Sequence, residues 1–425
     1  MKVAVIGSGG REHAIVKKLR ESAAVDKLFC LPGNGGIAAD TTCVNISAMD
    51  VGAVKAFCLT EQMDYVVVAP DDPLAIGMVD ALEEAGIACF GPNKAAARIE
   101  ASKVFSKQLM TKYGIPTAKF ADFTTVDEAM AYICAENRYP VVIKADGLAL
   151  GKGVLICEDE AAARRGLSDM LESEKFGKSG RQVVVEEFLT GPEVTVLAFC
   201  DGKTVVPMVS SMDHKRALDG DLGLNTGGMG VISPNPFYTE EIAATCMETI
   251  FLPTLAAMQQ EGCPFQGCLY FGLMLTKSGP MVIEYNCRFG DPETQSVLPL
   301  MQSDLLDVML ATTNGTLHEV SCDFSSDACC CVIMASGGYP EAYRTGFPIT
   351  GLDAAAKDAT VFHAGTKVAE SGELVTSGGR VLGVTSIAKT LSDAIQKAYQ
   401  AAEKIAFQDA HKRNDIGSKA LKMTH

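Results

Sequence analysis

Short apolar runs and amphipathic helical stretches alternate through the first ninety residues, and this rhythm limits the fold more than any other feature of the chain. Apolar runs stand at 3–6, 28–31, 65–69 and 87–90, with helical patterns at 12–20 and 73–85 between them. Strands separated by helices cannot pair as tight hairpins, so they predict a parallel sheet with helices on both faces. The sequence Gly91-Pro92-Asn93 then breaks the pattern.

Past this break the character changes. An Ala- and Lys-rich stretch predicts one helix over 94–113, closed by Gly114 with Pro116 beyond. Thr125 and Glu128 have capping-box spacing for the next helix. Residues 117–190 read as a small α+β unit with strands near 140–144, 153–157 and 182–188. Alternation on either side of Lys277-Ser278-Gly279 predicts a hairpin of 268–276 with 280–286. Helices are expected near 239–261, 293–312 and 390–407, and a β-rich segment over 328–388. A length of 425 residues accommodates about three domains.

Composition narrows the function. Lys+Arg number 37 against 52 Asp+Glu, a net charge of −15, which argues against a nucleic-acid partner. A phosphorylated ligand must therefore be held by local basic groups and backbone amides. No run of about 18 apolar residues predicts a membrane span, and the chain opens on a strand rather than a leader. The 15 cysteines and 6 histidines include no C-x-x-C pair with a partner pair. They read as small buried hydrophobes in a reducing compartment, and a cytoplasmic location is expected.

Five stretches carry candidate chemistry. The turn GSGGREH at 7–13 joins a strand to a helix, the setting of a phosphate-binding turn. It is not a dinucleotide fingerprint, because Glu12 occupies the third glycine position and the second strand ends without an acid. It reads either as a tight turn or as a nest on Gly9 and Gly10 with Arg11 and Glu12 at its rim. In VVIKADGLALGKGV at 141–154, Lys144 ends an apolar strand, where an ammonium is costly unless it meets an anion such as phosphate. Gly147, Gly151 and Gly153 suit a loop whose amides close over phosphates. Lys103, on the preceding helix, offers a second phosphate contact.

In VVVEEFLTGPE at 183–193 a strand runs into Glu186, Glu187 and Leu189, with Glu193 following. This pattern fits an adenine-binding hinge, with a carboxylate on the ribose. The Gly-rich stretch at 211–230 gathers Asp213, His214, Lys215, Arg216, Asn225 and Gly228, and is long enough to be a substrate loop. In VIEYNCRFGDPETQ at 282–295, Glu284 and Asn286 stand two apart on one strand and share a face. A carboxylate with an amide oxygen suits Mg²⁺. Arg288 continues that face and offers a planar fork to a carboxylate or to a phosphate.

In this order the motifs resemble the phosphoribosylamine–glycine ligases (glycinamide ribonucleotide synthetases), a family of ATP-grasp enzymes. The resemblance rests on GSGGREHA at 7–14, VIKADGLALGKGV at 142–154, DHKR at 213–216 and NTGGMG at 225–230. IEYNCRFGDPETQ at 283–295, ASGGYP at 335–340, FHAGT at 362–366 and SGGRVLGVT at 377–385 complete it. The chain departs from the family pattern at 69–74, where APDDPL stands for GPE-x-PL, and at Met212 and Leu224.

The resemblance implies an α/β and α+β multidomain fold. An N-terminal parallel-sheet substrate domain would occupy 1–101 and an ATP-grasp domain 102–326, with a mobile lid at about 117–190. A C-terminal β-rich domain would occupy 327–425. It implies ligation of glycine to 5-phosphoribosylamine through a glycyl phosphate, with ATP consumed and Mg²⁺, or Mn²⁺ in its place, on Glu284 and Asn286. Lys103, Lys144, Gly151, Glu186, Glu187, Leu189 and Glu193 would bind nucleotide. Gly9, Gly10, Arg11, Glu12, Asp213, Lys215, Asn225, Gly228 and Arg288 would bind the other substrates, and Arg288, Lys144 and Asp213 would serve the chemistry. The expected partners are small molecules only, in a monomer or weak homodimer. The rival readings are another ATP-grasp carboxylate–amine ligase and a non-catalytic nucleotide sensor. DHKR, NTGGMG and FHAGT together weigh against the first, and intact Lys144, Glu284, Asn286 and Arg288 against the second.

Overall fold

The computed structural model describes residues 1–147, 153–172 and 181–422. The first five strands are β1 (Lys2–Gly7), β2 (Lys27–Pro32), β3 (Thr42–Cys43), β4 (Tyr65–Val68) and β5 (Ala88–Phe90). They form a parallel sheet in the order β3-β2-β1-β4-β5. The expected parallel sheet is present, and the short edge strand β3 and the helix Val51–Glu61, capped by Asp50, extend it.

The next four strands are β6 (Phe120–Phe123), β7 (Val141–Ala145), β8 (Val154–Cys157) and β9 (Val183–Glu187). Their antiparallel sheet, in the order β6-β9-β7-β8, packs on the helices Val126–Glu136 and Glu160–Leu171 over a separate apolar core. Beside it stands a second four-stranded sheet of β10 (Glu193–Asp201) and β11 (Val205–Pro207), with two longer strands defined below.

Short strands follow: β12 (Met212–Asp213), β13 (Arg216–Leu218), β14 (Leu222–Asn225) and β15 (Gly230–Ser233). Then come β16 (Gln266–Thr276) and β17 (Gly279–Asn286), the hairpin expected from alternation, which closes the order β11-β10-β16-β17. The last strands are β18 (Ala328–Ser336), β19 (Thr360–His363), β20 (Thr366–Val368), β21 (Leu374–Thr376), β22 (Arg380–Ala388) and β23 (Ala410–His411). The C-terminal sheet runs β12-β15-β18-β22-β19, with β23 pairing β18. Strands β12 and β15 come from the central segment, so the domain boundary expected at 326–327 runs between strands of a single sheet.

Three expected helices are divided. The 94–113 helix is two, Lys94–Ala101 and Lys103–Tyr113, because Ser102 is extended and its Oγ caps the second. The 73–85 stretch breaks at Gly77, whose φ of 94° ends one helix and starts the next. The 293–312 helix yields to short turns around Pro299 before Asp304 caps Leu305–Asn314. The apolar run Glu240–Gln260 is continuous through a π-turn. It is long and apolar enough by composition to cross a membrane, yet Ile250, Phe251, Leu255 and Met258 are buried in the core shared by the first and central sheets.

Candidate active site

Strand β17 sets the centre of the site. It pairs with β16 as Tyr270 with Asn286 and Gly272 with Glu284, then slips so that Leu273 faces Val282. Ile283 is the extra residue of this bulge, which leaves Glu284 and Asn286 on one face. Gly272 leaves room opposite Glu284, since a Cβ there would lie 3.0 Å from the Glu284 Cγ.

Cations from three other elements converge on this carboxylate. Lys215 Nζ lies 3.4 Å from Glu284 and 3.4 Å from Glu193. Burial alone would raise the Glu284 pKa, but Lys215, Lys144, Lys103 and Arg288 hold it down to about 2. Burial would likewise lower the Lys215 pKa, and the Glu193 and Glu284 carboxylates outweigh it. Glu284 and Asn286 supply two hard oxygens on one face, a donor set that suits a divalent cation. Among the described residues no cluster of three or more His, Cys, Asp or Glu side chains is arranged to hold a metal.

The first small sheet meets β17 across a cleft. Lys144, at the end of β7, donates to the carbonyl of Ile283 at 3.0 Å and pairs with Glu186 at 3.0 Å. Lys103 donates to the carbonyl of Gly147 at 2.9 Å, and burial lowers its pKa. Asp146 caps the same helix, accepting from the Val104 N–H and the Ser102 hydroxyl, both at 3.1 Å. The 146–147 turn is thus docked on the N-terminus of Lys103–Tyr113. Gly151 lies outside the described residues.

Glu186, a candidate nucleotide contact, is buried between Lys144 and Lys107, the latter at 3.0 Å. Lys107, which the sequence did not single out, also donates to Thr117 at 2.8 Å. Burial pushes the Lys107 pKa down to about 8 against the pull of Glu186. Of the remaining hinge residues, Glu187 accepts the Lys119 N–H at 2.9 Å, while Leu189 is half-buried and Glu193 is exposed.

On the opposite side, Arg288 is fixed by Glu100, whose Oε1 it meets at 3.1 Å while the Glu100 Oε2 accepts the Cys287 N–H at 2.7 Å. The Arg288 Nε is buried with no hydrogen-bond partner among the described residues. Burial lowers the affinity of that guanidinium for its proton, and Glu100 and Asp71 more than reverse this. Asp213 stands on β12 beside the Gly-rich 220–230 stretch. Gly228 has φ 112°, and a Cβ there would lie 2.6 Å from Asp213 Oδ1, so only glycine lets the loop pass the carboxylate. Burial and the neighbouring Glu293 raise the Asp213 pKa well above the carboxylate range. Asn225 pairs with Arg216 on the β13–β14 ribbon.

The turn after β1 also differs in detail. Arg11 and Glu12 are buried rather than at a rim. The Glu12 carboxylate accepts from the Gly9 N–H and pairs with Arg11, which donates to the Phe289 carbonyl at 3.1 Å. The pair braces the turn, and the Arg11 N–H is taken by the Asp291 carboxylate at 3.3 Å. Ser8, Gly9, Asn34, Gly365, Thr366 and Arg380 line a cavity of about 360 Å³ between the first and last domains. Arg380 joins three segments there: it donates to the carbonyls of Gly227 and Asp291, each at 2.7 Å, and meets the Asp291 carboxylate at 3.2 Å. Only its position in SGGRVLGVT could have marked it beforehand.

Comparison with known proteins agrees with this geometry. Three models of phosphoribosylglycinamide synthetase match the chain: the N domain over residues 1–100, the ATP-grasp (A) domain over 101–294 and the C domain over 329–419. A phosphoribosylamine–glycine ligase of Caldanaerobacter subterraneus subsp. tengcongensis is 47% identical over 418 residues, 98% of this chain and 100% of that protein. The crystal structure of a phosphoribosylamine–glycine ligase from Thermotoga maritima superposes with a TM-score of 0.85 at 34% identity, covering 98% of this chain and 100% of the other. A biotin carboxylase domain of the Hydrogenobacter thermophilus 2-oxoglutarate carboxylase shares the fold, with a TM-score of 0.72 at 17% identity over 97% of this chain and 91% of the other. The chain belongs to the phosphoribosylglycinamide synthetase family, with its N, ATP-grasp and C domains in order.

Proposed function

We infer that the chain joins glycine to 5-phosphoribosylamine at the expense of ATP, forming glycinamide ribonucleotide, ADP and phosphate in purine biosynthesis. The observation that carries this reading is the ring of Lys103, Lys144, Lys215 and Arg288 around Glu284, on a strand that also presents Asn286. So many cations about one carboxylate call for a polyphosphate, and full-length relatives bearing the ligase name supply the reaction.

A carboxylate resists amines because oxide is a hopeless leaving group. Attack of a glycine carboxylate oxygen on the γ-phosphorus releases ADP and gives glycyl phosphate. The amine nitrogen then attacks the carbonyl carbon, phosphate leaves, and the amine gives up a proton. Lys103 and Lys144 would hold the nucleotide phosphates, and Glu284 and Asn286 would hold Mg²⁺ or Mn²⁺. The ion, when bound, neutralises charge on the transferring phosphoryl group. Arg288 would orient the glycine carboxylate and Asp213 its ammonium. The β6–β9 unit would serve as a lid that keeps water from the acyl phosphate. The cavity between the first and last domains, lined by Asn34, Ser377 and Arg380 beside the Ser8–Gly9 turn, would take the sugar phosphate of the amine. All fifteen cysteines are unpaired, which suits a cytoplasmic enzyme.

The test is substrate dependence. ADP release at full rate should require both glycine and phosphoribosylamine, and equal activity with formate or bicarbonate in place of glycine overturns the reading. For the cavity, Ser377→Phe, at an exposed lining residue, should raise KM for the amine without moving KM for glycine or ATP.

A further inference from the structure

The cavity assigned to the amine substrate is built from two domains, and its far wall, Ala364-Gly365-Thr366, follows directly on β19. What holds that wall against the Ser8–Gly9 turn is a pair of side chains that do not line it together. His13, three residues into the first helix and 1% exposed, accepts the main-chain N–H of His363 on Nδ1 at 2.7 Å. Asn34, after β2, donates to the carbonyl of the same His363 at 2.7 Å and to that of Ser8 at 2.9 Å. Both backbone polar groups of one residue in the last domain are thus taken by side chains of the first.

The remaining atoms of His13 are committed in a way that fixes its tautomer. With Nδ1 an acceptor, Nε2 carries the proton and donates to the Asp40 carboxylate at 2.8 Å. Asp40 in turn pairs with Lys17 at 2.7 Å and Arg20 at 3.0 Å, which anchors it to the same helix. The His363 side chain is packed on the first domain as well, since a Cβ on Gly36 would fall 2.0 Å from its ring. Gly35 also donates to the Thr366 carbonyl at 3.0 Å, so the contact continues along the wall.

We propose that His13 is a positioning residue for the amine substrate: its imidazole sets the 364–366 wall against the Ser8–Gly9 turn and touches no substrate itself. The proposal rests on the reading of this cavity as the phosphoribosylamine site. It predicts an effect on one substrate only, because neither the nucleotide cleft nor Arg288 contacts His13.

The two amides that mimic the two ring nitrogens separate the roles. The Oδ1 of His13→Asn sits where Nδ1 was and keeps the acceptor for His363, whereas His13→Gln offers its amide nitrogen to Asp40 and loses that acceptor. His13→Gln and His13→Leu should raise KM for phosphoribosylamine, and weaken calorimetric binding of glycinamide ribonucleotide, by roughly tenfold, the usual worth of one buried hydrogen bond. Their kcat at saturating amine, and their KM for glycine and ATP, should stay within about twofold. His13→Asn should recover most of the loss. Equal amine KM in Asn and Gln variants, or a fall in kcat at unchanged KM, overturns the proposal. Should His13→Leu fail to fold, the Asn–Gln contrast decides alone. Ser377→Phe run in parallel tests the cavity: if it leaves the amine KM unchanged, the cavity reading fails and the proposal with it. If Ser377→Phe raises that KM and His13→Gln does not, His13 alone is excluded.

Discussion

The Nζ of Lys144 lies 3.0 Å from the carbonyl of Ile283, so the strand of the small antiparallel sheet is hydrogen-bonded across the cleft to the bulge in β17. Ile283 is the one residue of that strand left over by the slip in register, and its carbonyl is spent on Lys144 rather than on β16. The bulge therefore does two things at once. It aims Glu284 and Asn286 into the cleft, and it gives the incoming lysine a fixed point.

The lid reading rests on the kind of ties that hold the small sheet. Lys144 to Ile283, Lys107 to Glu186, Lys103 to Gly147 and Asp146 to Ser102 and Val104 all involve side chains, and the sheet keeps its own apolar core. Such a unit opens at less cost than the shared core beneath it. Amides of β7 and β8 should exchange fast without nucleotide and gain clear protection with a non-hydrolysable ATP analogue, read by hydrogen-exchange mass spectrometry. Unchanged exchange would mean that the unit is no lid.

Glu284→Gln keeps shape and removes charge. The fold should survive, because glutamine keeps the shape of the side chain at its place on β17, and Glu193 still faces Lys215. Turnover should fall roughly 100-fold or more, comparable to removing one preorganised charge-stabilising group, with the Mg²⁺ requirement shifted upward. Near-normal turnover at low Mg²⁺ would refute the ligand role.

Much of this site was legible because it is local. Glu284, Asn286 and Arg288 lie on five consecutive residues, and period-two alternation fixes which way the first two point. Glu186 gave no such sign of its burial, for the opposite reason. Its partners Lys107 and Lys144 lie 79 and 42 residues away, and no local pattern tells a strand-end glutamate in solvent from one buried between two lysines. The break at Ser102 was hidden in the same way, since Asp146 completes that cap from another sheet. The division near Pro299 and Asp304, by contrast, carried a proline and a capping residue in plain view.

The C-terminal tail gives a pH prediction. Arg413, 1% exposed, pairs with Asp415 at 2.7 Å and with Asp221 at 2.9 Å, and so straps the tail to the segment beside the β13–β14 ribbon. Burial would raise the Asp415 pKa, but the hydrogen bonds from Arg413 prevail and hold it down to about 2. An acid whose folded pKa lies below its unfolded value near 3.8 contributes stability above that value and loses it as pH falls toward 2. Asp415→Asn should therefore cost roughly 2 kcal/mol at pH 6, with the gap to the unsubstituted chain closing between about pH 4 and 2 in urea unfolding. A gap independent of pH would show that the carboxylate is not the source.

Arg288 is where two roles compete, since its fork could meet the γ-phosphate or the carboxylate of glycine. Its surroundings favour glycine. Lys103, Lys144 and Lys215 already face the carboxylate that would hold the metal, whereas Arg288 is tied by one terminal nitrogen to Glu100 and keeps a buried Nε that meets no partner among the described residues. A buried donor left unmatched in a charged site marks a place where a small anion belongs. Arg288→Lys keeps the charge and loses the fork. KM for glycine should then rise by roughly tenfold or more, the worth of one lost charge-assisted bond, while KM for ATP stays nearly unchanged. Titrating each substrate with the others saturating decides it. A rise in the ATP value alone would make Arg288 a phosphate ligand and leave the glycine carboxylate to be placed elsewhere.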